Sequence, residues 1–124
     1  ILAQWGPTGV ERYRSHFVFD LIHPLLFGAF GWVSVRTSPL FSGITGVQER
    51  ALRWLLPLAA GFDYVENSCQ LRLLAVPLGT SDWLVPVSAT AATIKWMLAS
   101  VFVVCLVWRF IRWNMGPATS TGRD

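Results

Sequence analysis

The chemistry available to this sequence is concentrated in Asp20, His23, Asp63, Glu66, Asn67 and Lys95, all set in otherwise apolar surroundings. Carboxylates so placed can hold a cation or move a proton, an ammonium can neutralise one of them, and an imidazole can do acid–base work or ligate a metal centre. In a low-dielectric layer each of these groups is costly alone, so they are expected to face one another or a cavity. Three acids against one lysine leave an excess of negative charge, which a proton held on one carboxyl would relieve.

Their spacing is helical. Asp63, Glu66, Asn67 and Gln70 recur at i, i+3, i+4 and i+7, which places them on one stripe. His16, Asp20 and His23 or Pro24 define a second stripe, continued by Phe27, Gly28 and Gly31. Ser88, Ala91, Ala92, Lys95 and Ala99 form a third, in which small residues surround the lysine and would let helices approach closely. The Lys95 face is therefore expected to pack onto the acidic faces of the other two helices.

The elements that must carry these stripes follow from composition. Of 124 residues, 53% are hydrophobic and only 14% charged, against about 25% charged in soluble domains. Seven tryptophans add to the case for lipid as the solvent, because indole rings favour the membrane boundary. Apolar stretches run from about 17 to 35, 52 to 76 and 86 to 113, each meeting the roughly 20 residues a spanning helix needs. An all-α integral membrane bundle of three transmembrane helices in a single domain is the expected fold. An amphipathic approach over Gly9–His16 is expected at the interface, and a small polar tail over 116–124 is expected to be flexible. Pro24 and Pro57 fall inside helices, which membrane proteins tolerate when neighbours satisfy the freed carbonyls.

Depth agrees with the stripes. At 1.5 Å per residue, Asp20 lies roughly 24 Å from Arg36, and Asp63 and Glu66 roughly 15 and 20 Å from Arg53. Lys95 lies roughly 21 Å from Arg109. Because helix direction alternates, all four groups fall at similar depth, away from an arginine-rich end that collects Arg36, Arg50, Arg53, Arg109, Arg112 and Arg123. The opposite end holds Arg12, Arg14 and Arg72. The positive-inside rule then puts the arginine-rich end, and the C-terminus, in the cytoplasm or mitochondrial matrix, across a bacterial or mitochondrial inner membrane.

Other chemistry finds no support. The net charge of +3 is dispersed, without the Lys/Arg runs of a nucleic-acid binder. Cys69 and Cys105 have no metal-ligand spacing and read as small buried hydrophobes. No phosphate loop, nucleophile elbow or zinc pattern appears. Haem or chlorophyll ligation at His23 is the lesser reading, since bis-histidine haem needs a second histidine at depth and His16 lies near the boundary; no cofactor is expected.

The run Gly9–Val–Glu–Arg–Tyr–Arg–Ser–His–Phe–Val–Phe–Asp20–Leu–Ile–His–Pro24–Leu–Leu–Phe–Gly28 resembles a group of uncharacterised small bacterial-type four-helix membrane proteins. The resemblance continues through Leu56–Pro–Leu–Ala–Ala–Gly–Phe–Asp63–Tyr–Val–Glu66–Asn67 and through Thr93–Ile–Lys95–Trp96, where one residue fewer separates the Thr from the Lys. It implies a four-helix bundle whose first helix would precede Ile1, and it implies that Asp20, Pro24, Asp63, Glu66, Asn67 and Lys95 are shared positions. A looser similarity is to the sterol-isomerase and sigma-2 receptor superfamily, whose bundles surround a lipophilic amine or carbocation pocket with acids.

The leading expectation is a non-catalytic accessory subunit of a respiratory, ATP synthase or photosynthetic complex, its polar cluster locking the bundle, with lipids and other subunits as partners. The alternative is a binder or isomerase of a lipophilic, sterol-type small molecule that uses the intramembrane carboxylates.

Overall fold

The computed structural model describes residues 2–75 and 83–116, with the side chains of 2–8, 10 and 12–14 excepted. Within these residues the chain is helical throughout: α1 (Leu2–Thr37), a 3-10 turn (Pro39–Phe41), α2 (Gly46–Ala75) and α3 (Leu84–Asn114). The amphipathic approach over 9–16 is not a separate segment. It is continuous with the first apolar stretch, so α1 is one rod of 36 residues. The turn signals at Pro77, Gly79 and Asp82 predict a tight link over 77–86; its part up to 82 lies outside the described residues, as does the tail beyond Gly116.

The proline positions explain how these helices survive. Pro86 sits in the first turn of α3, where backbone N–H groups have no intrahelical partner to lose. Pro24 and Pro57 lie in helix interiors, where each removes the hydrogen bond to the carbonyl four residues earlier. Between α1 and α2 the Ser38 side chain accepts from Leu40 N–H to start the 3-10 turn, and Gly43 (φ 80°) reverses the chain with a backbone that other residues rarely adopt.

α2 occupies the middle. It packs along α1 on one side and α3 on the other, whereas no Cα of α1 comes within 8 Å of a Cα of α3 among the described residues. The expectation that α3 would meet the faces of both partners is therefore only half realised: Lys95 reaches α2, and a gap separates it from α1. The α1–α2 seam is close because Gly28 and Gly31 present no side chain there. A Cβ on Gly28 would stand 3.2 Å from the Ala60 Cβ, and one on Gly31 only 2.5 Å from the Leu56 Cβ. At the arginine-rich end Val35, Phe41, Leu56 and Phe102 form the apolar core, with the Phe41 and Phe102 rings 6.1 Å apart.

Two helical segments, Ser15–Thr37 and Leu84–Asn114, are long and apolar enough to cross a membrane. Only 22% and 11% of their most apolar windows are buried within the bundle. Phe19, Leu25, Leu26, Val104 and Trp108 are exposed on their outer faces.

Candidate functional site

The gap between α1 and α3, floored by α2, is a cavity of about 410 Å³. Asp20, His23 and Phe27 line it from α1, Leu56, Asp63, Glu66, Asn67 and Gln70 from α2, and Lys95, Trp96 and Ala99 from α3. The residues singled out by type and spacing thus all border one space.

Their roles differ. Lys95 Nζ donates to Asp63 Oδ1 at 2.7 Å and to Glu66 Oε2 at 2.5 Å, so it bridges two carboxylates, more than the one it would need to neutralise itself. Gln70 donates to the other Glu66 oxygen at 3.0 Å. All three charged side chains are largely withdrawn from the surface, with 11 to 15% of each exposed. Sequence position makes this possible: Asp63 and Glu66 lie one turn apart on α2, which lets one ammonium on α3 span both.

On the α1 side a different logic operates. Pro24 has no N–H, so the Asp20 carbonyl loses its helical donor. The Asn67 side-chain amide supplies a replacement at 3.2 Å, and the Tyr64 hydroxyl donates to the next carbonyl, Leu21, at 2.6 Å. Asn67 therefore belongs to the backbone of α1 as much as to the cavity. Tyr64 was not anticipated from type or spacing. The signal that could have found it is Pro24, which orphans the Asp20 carbonyl and so favours donors from the facing helix at this turn of α1.

Asp20 and His23 take no part in either set of bonds through their side chains. The Asp20 carboxylate has no partner among the described residues, and the His23 ring lies 5.2 Å from that of Phe27. Asp63 commits only one of its two oxygens among the described residues. Three carboxylates facing one ammonium give the cavity a formal excess of two negative charges, with an apolar wall formed by Phe27, Leu56, Trp96 and Ala99. Chemically such a space can hold a protonated nitrogen or accept protons. No grouping of three or more metal-ligating side chains occurs among the described residues.

Comparison with protein-family models, with curated proteins and with solved structures finds no match. Among the described residues the chain is all-helical, with two helices long and apolar enough to cross a membrane, and its site must be read from its own geometry.

Proposed function

We propose that this chain is a membrane protein of three transmembrane helices whose cleft binds a lipophilic ligand carrying a cationic head. α2 counts as the third span despite its charges: it lies between two apolar helices, and Asp63 and Glu66 are turned inward onto Lys95 rather than outward to lipid. The observation that carries the binding reading is the cavity between α1 and α3, where Asp20 and the second oxygen of Asp63 remain uncommitted beside an apolar wall. A protonated amine would satisfy these acids, and the wall with Trp96 would receive its hydrocarbon. The arginine-rich end then faces the cytoplasm or matrix.

Dodecylamine and dodecanol test this reading on protein held in phosphatidylcholine nanodiscs, with empty discs subtracted. The amine should bind and the alcohol should not. Asp20→Asn should weaken amine binding by roughly tenfold, since a charged hydrogen bond is worth about 1.5 kcal/mol or more. Equal binding of amine and alcohol defeats the proposal.

A second reading, the accessory subunit of a larger membrane complex, is favoured by the open cleft between α1 and α3 and by the broad apolar outer faces of both helices. Mild solubilisation followed by native electrophoresis decides it. Migration of the chain as an isolated monomer counts against the subunit role.

A further inference from the structure

Among the described residues, the arginine-rich end carries more cations than acids to pair with them. Thr37 closes α1, Gly46 opens α2 and Asn114 closes α3 at this end, where Arg109 donates to the Leu40 and Ser42 carbonyls of the intervening turn. Among the described residues five arginines gather there, Arg36, Arg50, Arg53, Arg109 and Arg112, against a single acid, Glu49. Glu49 is already paired with Arg53, whose guanidinium also lies 5.2 Å from the centre of the Trp32 ring. Arg109 is committed to the turn. That leaves Arg36, Arg50 and Arg112, one from each helix, all exposed and with no anionic partner among the described residues. Arg112 lies 5.9 Å from the centre of the Trp108 ring, and Trp54, Trp108 and Trp113 are exposed at the same end.

We propose that this end is a docking surface for the phosphates of an anionic phospholipid surface, with Arg36, Arg50 and Arg112 as its contacts. The two apolar spans end at Thr37 and Asn114, so these guanidinium groups stand at headgroup level, among indole rings suited to the same boundary. A guanidinium offers paired donors that match two phosphate oxygens, and a net anionic leaflet supplies the missing counter-charge. The surface holds its shape because Arg109 pins the turn between α1 and α2 to α3. The inference rests on the membrane reading but not on the cleft, which lies in the other half of the bundle.

The test offers the detergent-solubilised chain equal amounts of phosphatidylglycerol and phosphatidylcholine and reads retained lipid by native mass spectrometry. The wild type should keep phosphatidylglycerol preferentially. Arg36→Gln, Arg50→Gln and Arg112→Gln should each lower that preference by roughly fivefold, and the triple variant should lose it. Arg72→Gln, at the opposite end, should leave it intact. Thermal unfolding in phosphatidylcholine alone should be unchanged in the single variants, because none of the three arginines bonds to a protein acid. Equal retention of both lipids by the wild type overturns the proposal, and so does a triple variant that keeps the wild-type preference.

Discussion

The side-chain amide of Asn67 donates to the backbone carbonyl of Asp20 across 3.2 Å, and that carbonyl is the one Pro24 leaves without a helical donor. A polar side chain that looks like part of a charged cluster is therefore also a repair of the neighbouring helix. The pairing predicts a dependence between two positions that do not bond to each other. Asn67→Ala should destabilise the protein by about 0.6–2 kcal/mol, the range found for interhelical hydrogen bonds in membranes. In a Pro24→Ala background residue 24 regains its N–H, and the Asn67→Ala penalty should shrink. A double-mutant cycle read by thermal or denaturant unfolding measures the coupling. Strict additivity would remove the repair from the account.

How much of this was legible beforehand depends on the kind of residue. The apolar stretches and the polar stripe of Asp63, Glu66, Asn67 and Gln70 follow from composition and helical period, and the structure sets all four on one cavity. That Lys95 takes both Asp63 and Glu66, leaving Asp20 aside, depends on which helix is central. Period fixes which residues share a face of one helix; it says nothing of the order in which helices sit side by side. The same limit hid Arg109, whose spacing reads as a topology signal while its guanidinium bonds to the turn at Leu40 and Ser42.

The α1–α2 seam gives a steric prediction. A side chain at Gly31 would meet Leu56 at 2.5 Å, while one at Gly28 would meet Ala60 at 3.2 Å. Gly31→Ala should cost about 1–3 kcal/mol, typical of overpacking, and Gly28→Ala distinctly less. Adding Leu56→Ala should recover only a small part of the Gly31→Ala loss, because it removes the Leu56 Cδ1 and Cγ contacts at 2.8 and 2.9 Å but keeps the Cβ at 2.5 Å. Unfolding midpoints of the single and paired variants check the order. Equal penalties at the two glycines would contradict the seam as described.

Arg109 predicts a local effect. Its two bonds to turn carbonyls join the end of α3 to the α1–α2 connection, beside the Phe41–Phe102 contact. Arg109→Met keeps the apolar stem but removes the donors. Amide exchange of Leu40 to Ile44 should quicken by at least tenfold, given about 1.5 kcal/mol or more for a charged hydrogen bond. Exchange around Asp63 should change little. A uniform rise along all three helices would instead assign Arg109 to global stability.

The Lys95 bridge gives the largest expected effect and also the sharpest separation of stability from binding. Removing the lysine alone strands two carboxylates on α2 against the cavity, so Lys95→Met should destabilise by about 3–5 kcal/mol. Replacing all three charges together, as Lys95→Met with Asp63→Asn and Glu66→Gln, removes the stranded charge along with the bridge. That triple variant should recover most of the loss, since buried ion pairs often do no better than neutral groups of similar volume. Thermal unfolding in nanodiscs measures both. The binding reading then makes a separate demand: the recovered triple variant retains Asp20 but lacks the Asp63 carboxylate, so it should fold and yet bind dodecylamine more weakly. A triple variant that folds and binds as the wild type does would confine Asp63 and Glu66 to locking α2 against α3.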